Sequence, residues 1–323
     1  VKSLAKKLQR IKSGKYQTTD FIIADAKDGD MAFGVTAPGP DGQGGWKPRS
    51  AYLAAMEQMT KSELIDIMLM SVSSAEILKA KATFHKSSVT PAVRLNDTTD
   101  IWNARSSCYR QYPSEQFATA DLESVKPLSK LGLFSMTFTN DLKVDKASLE
   151  SYRIFRLKAR EAGIKHFLEI FNPAFDIGIK SAELGHYIND MIIKAIAGVS
   201  QSDAPEFLKI QFNGSKAMEE LSSYDPQRLV AGILGGAAGT TRDTFELASQ
   251  AEKHGARVAL FGRKINLAES PIELVRLIRH TIEGGVTPVQ AVNIYHEHLK
   301  EIGIKPLRSL KKDTVITDTI LRA

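Results

Sequence analysis

Eight short apolar runs, most of them separated by longer segments of helical character, constrain this chain more than any other feature. They fall at residues 21–24, 65–70, 90–95, 131–139, 166–171, 206–212, 229–234 and 256–261. Each is of strand length. Between them lie amphipathic stretches such as 148–162 and 241–254, the second followed by Gly255 where a helix would take its C-cap. Eight strand–helix units over about 250 residues is the arithmetic of an α/β chain closed into a (β/α)8 barrel. No Pro/Ser-rich linker divides the 323 residues. The expectation is therefore one domain, with the barrel over about 20–286 and a C-terminal helix and tail over 287–323. Thr287, Pro288 and Gln290 supply an N-cap, a first-turn proline and a capping-box partner for that helix, which should run to about Ile302. The tail from Pro306 to Ala323 is expected to wrap the barrel or a neighbouring subunit.

Composition narrows the function classes. An apolar content of 43% with 25% charged residues is that of a folded globular chain rather than a disordered or fibrous one. The only cysteine, Cys108, excludes an intrachain disulfide and a cysteine-built zinc site. That fits a reducing, cytoplasmic setting. No stretch approaches the ~18 apolar residues that would span a bilayer, and the N-terminus has charge without a signal-peptide core. A net charge of +6 fits anionic small molecules as readily as nucleic acid.

In such a barrel the chemistry sits where strands end. In the sixth run Phe207, Lys209 and Gln211 share one face, and Leu208, Ile210 and Phe212 the other. The wholly apolar set suits the outer helices, so Lys209 is expected to point inward. In low-dielectric surroundings its ammonium is costly, and a neutral amine there is a nucleophile towards a carbonyl. On this strand alone, a snorkelling edge lysine fits as well. The fourth run leaves Ser135, Thr137 and Thr139 inward, and the fifth places Glu169 beside Phe167 and Phe171. The first run ends at Asp25, close to Lys27 and Asp28. Carboxylates near a buried amine are what general acid/base chemistry requires. Singly each is an ordinary structural group; together, Asp25, Glu169 and Lys209 form the candidate catalytic set.

The loops after runs seven and eight look suited to an anion. Residues 234–241 make a glycine-rich turn into a helix start, and Phe261, Gly262 and Arg263 put a tight turn and a guanidinium beside it. Gly235, Gly236, Gly262 and Arg263 are the candidate phosphate-binding residues. A dinucleotide-binding reading of Gly232, Gly235, Gly236 and Gly239 fails on spacing and on the short length of chain that follows. His296 and His298 are two apart on a helix and face different ways, so they do not form a zinc pair. Lys305, Arg308, Lys311 and Lys312 lack interleaved aromatics, and read as a solvated face rather than a nucleic-acid site.

Six of these segments, in this order, resemble the class I, Schiff-base aldolases of the group that includes deoxyribose-phosphate, archaeal-type fructose-bisphosphate and tagatose-bisphosphate aldolases. Ile22 to Asp25 is similar to that group's first strand with its terminal aspartate. Residues 92–96 resemble its third strand, with Arg94 where the fructose-bisphosphate branch has a lysine. Residues 167–170 resemble the fifth strand of the tagatose-bisphosphate branch, with Glu169 as its functional glutamate. Residues 207–210 resemble the sixth strand, with Lys209 as the Schiff-base lysine. The turns at 234–236 and 261–263 match its phosphate-binding turns. The likeness runs from about residue 20 to 268. The fourth strand departs from the group, having neither the tyrosine of one branch nor the lysine of the other. Glu169 is the expected replacement as proton donor, with Thr137 or Thr139 orienting a water. The long glycine-rich loop from Gly34 to Pro48 points to an unusual far end of the substrate.

The resemblance implies a metal-independent aldolase that makes or breaks a C–C bond in a phosphorylated sugar or related keto compound. It implies no cofactor, because the iminium on Lys209 is itself the electron sink. It also implies catalytic roles for Lys209, Glu169 and Asp25, and substrate contacts from Arg94, Thr137 and Thr139 beside the phosphate residues. The partner is a small phosphorylated molecule, with no nucleic acid or membrane, and the assembly a homo-oligomer. A lysine-dependent acyl or ketol transferase, or a non-catalytic sugar-phosphate-binding barrel, remains the alternative.

Overall fold

The structure, a computed structural model, describes residues 2–102 and 104–322. Eight strands form the barrel: β1 (Ile22–Lys27), β2 (Ile67–Met70), β3 (Thr90–Arg94), β4 (Leu131–Thr137), β5 (Lys165–Phe171), β6 (Leu208–Ile210), β7 (Gly232–Leu234) and β8 (Val258–Phe261). Each pairs in parallel with its neighbours in sequence, and β8 closes on β1. All eight apolar runs are therefore barrel strands, and the (β/α)8 expectation holds. The ends move by up to a few residues, and the shift at β1, which runs to Lys27 rather than ending at Asp25, changes the site.

The helices in chain order begin with α1 (Ser3–Lys12), α2 (Gly29–Phe33), α3 (Arg49–Lys61), α4 (Val72–Ala80) and α5 (Leu122–Val125). They continue with α6 (Leu142–Ala162), α7 (Ser181–Ala197), α8 (Ser215–Tyr224) and α9 (Thr241–Lys253). The last are α10 (Arg263–Asn266), α11 (Pro271–Ile282), α12 (Pro288–Glu301) and α13 (Leu310–Asp313). Helix α12 starts as its sequence specifies, with Thr287 as N-cap, Pro288 in the first turn and a capping box with Gln290. Helix α9 ends one residue before His254, and Gly255 takes φ +104° just beyond.

Strand alternation divides the core in two. Inside the barrel, Ile22, Ala24, Ala26, Leu69, Leu133, Phe167, Phe207 and Leu260 form one buried cluster, closed at the bottom by Leu4, Leu8 and Ile11 of α1. Outside it, Ile23, Met68, Phe134, Leu168, Leu208, Ile210 and Phe261 pack against the ring of helices. Helix α1 is held at the bottom by Asp66, which takes Lys7 at 2.9 Å, Arg279 at 2.9 Å, the Ser3 hydroxyl at 2.7 Å and the Ile23 amide at 3.0 Å. At the other end, residues 95–102 and 104–121 leave the barrel between β3 and β4 and include a small antiparallel ribbon, Asp97–Thr98 with Gln116–Phe117.

The C-terminal tail lies on its own barrel. Asp313 accepts from the Thr241 amide at 2.9 Å, the Thr317 amide donates to Asp243 at 2.7 Å, and Leu321 is buried in the helical layer. The last residue of that tail, Ala323, lies outside the described residues.

Candidate active site

Glu169 on β5 and Lys209 on β6 are register partners on adjacent parallel strands, so alternation points both side chains to the same face. That face is the barrel interior. Lys209 is 6% exposed and Glu169 1%, and Nζ lies 2.6 Å from Oε1. The inward lysine that the strand pattern predicts thus has a carboxylate within hydrogen-bond reach.

The carboxylate is held from its other side. Ser135 of β4 donates its hydroxyl to Glu169 Oε2 at 2.8 Å. Arg94 of β3 sits at the centre of the network, almost fully buried. It donates to Asp28 at 2.9 Å, to Ser135 Oγ at 3.1 Å and to the Asn96 carbonyl at 2.9 Å. Its guanidinium also stands 3.6 Å from Glu169 and 3.4 Å from Asp97. Asn96 fixes the β4 backbone by bonding Ser135 twice, at 2.7 and 2.6 Å. Two cations thus face three carboxylates. Burial opposes the charge on Asp28, but Lys209 and Arg94 outweigh it and hold its carboxyl below the ordinary value. Asp97 goes the other way: burial pushes its carboxyl up, and the attraction of Arg94 does not reverse that. Burial likewise opposes the Arg94 charge, yet Asp28, Glu169 and Asp97 together raise its pKa.

Lys209, Glu169, Arg94 and Asp28 line a cavity of about 160 Å3 at the C-terminal ends of the strands, together with Gly235, Gly236, Gly262 and Arg263. The candidate nucleophile and the candidate phosphate turns therefore share one cavity. Gly262 is required by close approach, since a β-carbon there would stand 2.9 Å from the Ala26 carbonyl oxygen, and Gly236 by φ +63°. Arg263 has no carboxylate partner among the described residues. Burial and the nearby Arg110 both depress its pKa, and its guanidinium lies 5.3 Å from the Phe33 ring centre. An anion would relieve the repulsion between the two arginines.

Several expected residues stand elsewhere. Asp25 is not in the site. Because β1 continues to Lys27, alternation places Ala24 and Ala26 inside and Asp25 outside, level with Phe261 and Met68 of the outer layer. There it pairs with Lys27 at 3.3 Å. Asp28, just past the strand, supplies the carboxylate instead. Thr139 is also outside the cavity, because its amide and hydroxyl both bond Asp145 in the first turn of α6, at 2.7 and 3.0 Å. Thr137 faces inward but bonds Asp100 at 2.9 Å, anchoring the excursion between β3 and β4 rather than lining the cavity. The Gly235 amide is committed to the Leu260 carbonyl at 3.2 Å, so only its backbone shape serves the site. The start of α9 is closed to anions as well, its first amides taken by Asp243 and Asp313.

Sequence reasoning missed Asp28 and Asn96 as site residues, and named Ser135 only as an inward position. The signal for Asp28 was the true end of β1. His296 bonds Asp313 at 2.9 Å, and among the described residues no group of three or more His, Cys, Asp or Glu is placed to hold a metal ion. A larger groove of about 640 Å3 lies beside α1, lined by residues such as Leu4, Leu8 and Lys130 and holding none of the cavity's reactive groups. Among the described residues no helix is long and apolar enough to cross a membrane.

No protein-family model matches the chain, and no curated protein matches it. Its fold does resemble solved structures. An archaeal fructose 1,6-bisphosphate aldolase aligns with a TM-score of 0.63 at 15% identity, over 87% of this chain and 99% of that one. A fructose-bisphosphate aldolase from Slackia heliotrinireducens gives 0.65 at 13% identity, over 95% of this chain and 93% of the other. The (S)-3-O-geranylgeranylglyceryl phosphate synthase from Thermoplasma acidophilum, in complex with sn-glycerol-1-phosphate, gives 0.51 at 11% identity, over 88% and 99%. At these identities the likeness is one of fold, and the chain is a (β/α)8 barrel similar to theirs.

Proposed function

We propose that the chain is a class I aldolase that makes or breaks a C–C bond in a phosphorylated hydroxy-carbonyl compound. The observation that carries this reading is the Lys209 amine, buried at the base of the cavity and 2.6 Å from Glu169. Glu169 accepts a proton from the Lys209 ammonium, and the freed amine attacks the substrate carbonyl to give a carbinolamine. Returning the proton to the carbinolamine hydroxyl expels water and leaves an iminium. A base then removes the proton of the hydroxyl carried by the far carbon of the bond to be broken, the carbon β to the iminium. That C–C bond breaks, its electron pair passes into the iminium to form an enamine, and an aldehyde departs. Protonation of the enamine and attack by water release the second product and restore Lys209.

Arg94 and Ser135 hold Glu169 in line with Nζ, so the transfer needs little reorganisation. Gly236, Gly262 and Arg263 supply the phosphate contacts at the cavity's edge. Among proteins of similar fold, an archaeal fructose-1,6-bisphosphate aldolase has its catalytic lysine covalently bound to the carbinolamine intermediate of its substrate. That supports the chemistry assigned here without naming this chain's substrate.

The test is chemical trapping. Incubation with dihydroxyacetone phosphate and a panel of sugar phosphates, then borohydride, should leave a reduced adduct on Lys209 by mass spectrometry. An adduct on another lysine, none with any carbonyl compound, or full activity in Lys209→Ala would overturn the mechanism. Raised melting temperature with phosphorylated compounds but no adduct would favour a binding protein instead.

A further inference from the structure

Tyr52 of α3 lines the same cavity as Lys209, although its ring is 4% exposed. Among the described residues its O–H donates to no acceptor. The Gly29 backbone lies beside the phenol oxygen, where a β-carbon added to Gly29 would stand 3.3 Å from it, and its amide points a hydrogen bond at that oxygen, so the oxygen is engaged as an acceptor while its own O–H is not. Tyr52 stands in the cavity wall beside Asp28, Gly29 and Lys209. A polar group on a buried residue is normally satisfied, because leaving it unpaired opposes folding. An O–H without a protein acceptor at the wall of a reactive cavity is therefore available to a ligand.

We infer that Tyr52 is a further substrate-contacting residue, donating its O–H to an oxygen of the hydroxylated carbonyl compound that Lys209 engages. This rests on the reading of Lys209 as the reacting amine. The direction of the bond follows from the surroundings. Burial, then the carboxylates of Asp30, Asp28 and Asp25, push the phenol well above its ordinary value, so it stays protonated and offers a donor. Lys27 lies 5.9 Å from the ring centre on the strand side and helps fix the ring. Asp28, Lys209 and Tyr52 all line the one small cavity. A donor at that position favours a substrate bearing oxygen next to the reacting carbon over a bare alkyl carbonyl.

Tyr52→Phe removes the hydroxyl alone. The melting temperature should fall by no more than about 2 °C, because only the contact from the Gly29 amide is lost and no protein acceptor loses a donor. The rate of borohydride-trapped adduct formation with dihydroxyacetone phosphate should fall about tenfold or more. A second arm is independent of the covalent chemistry. In Lys209→Met, calorimetric affinity for dihydroxyacetone phosphate should fall about tenfold when Tyr52→Phe is added. If wild type binds this compound but forms no adduct, the aldolase reading fails and the binding arm still decides Tyr52. Unchanged rate and affinity, a melting loss of several degrees, or no binding of dihydroxyacetone phosphate by the wild type would each overturn the assignment.

Discussion

Replacing Arg94 with methionine leaves a chain of similar length but removes the cation shared by Asp28, Glu169 and Asp97. The wild-type side chain makes hydrogen bonds of 2.9, 3.1 and 2.9 Å and lies within 3.6 Å of two further carboxylates. Removing one partner from a buried ionic network costs about 3–5 kcal/mol, because charges stay behind in low dielectric. Unfolding entropy of about 2.1 cal/mol/K per residue, over 323 residues, gives roughly 0.7 kcal/mol per degree near the midpoint. The melting temperature at pH 7 should therefore fall by about 4–7 °C.

The deficit should also depend on pH. In wild type, Asp28 titrates below its ordinary value, so its stabilisation is present above the unfolded-state pKa and is lost as pH falls through the folded one. Without Arg94, burial pushes the remaining carboxyls upward, and protonating them relieves the penalty. The gap between variant and wild type should thus narrow from pH 7 to pH 5. Arg94→Lys keeps the charge but not the three-way fork, and should lose about half as much. Circular dichroism melts at both pH values suffice. A melting temperature within 1 °C of wild type, or a gap that widens on acidification, would refute the account of Arg94 as the organising charge.

Glu169→Gln can still accept from Ser135, so it should fold, but it should slow adduct formation by about 10²–10⁴-fold, measured by timed borohydride quenching. Arg263→Ala should weaken dihydroxyacetone phosphate binding by about 10–100-fold and leave unphosphorylated dihydroxyacetone nearly unaffected, as calorimetry would show. His166, buried against Tyr152 at 2.9 Å, has its pKa lowered from 6.5 to about 3 by burial and by Arg156 and Lys165. Below pH 6.5 the unfolded chain takes up a proton that the folded chain refuses. Stability should fall towards pH 3, by up to about 5 kcal/mol from this group. Urea titrations of His166→Leu at pH 7 and pH 4 should show a shallower loss than wild type.

The barrel was legible because its cause is local. Period-two alternation with β-branched and aromatic residues sets each strand, and Lys209 and Glu169 could be placed inward from their own segments. The same reasoning failed at Asp25. The assignment there took Asp25 as the rim of β1, whereas the strand runs two residues further and leaves Asp25 within it, on the face opposite Ala24 and Ala26. Thr139 failed differently: its strand neighbours gave the right face, but the helix that follows captured it through Asp145. Tyr52 carried no signal, since a tyrosine in an amphipathic helix reads as core until the neighbouring loop is seen.

What the sequence alone determined was the eight-strand plan, the inward row that carries Lys209 and Glu169, the glycine turns after β7 and β8, and the start of α12. These depend on residues close together in the chain. Tertiary structure alone decided which carboxylate meets the amine, that Arg94 joins Asp28 to Glu169, and that the tail folds back on α9. Ser135, Glu169 and Lys209 come from three neighbouring strands, and their 2.6–2.8 Å contacts arise from sheet register and barrel closure. Closure brings β8 against β1 across more than two hundred residues, and no local pattern encodes a distance set by that ring.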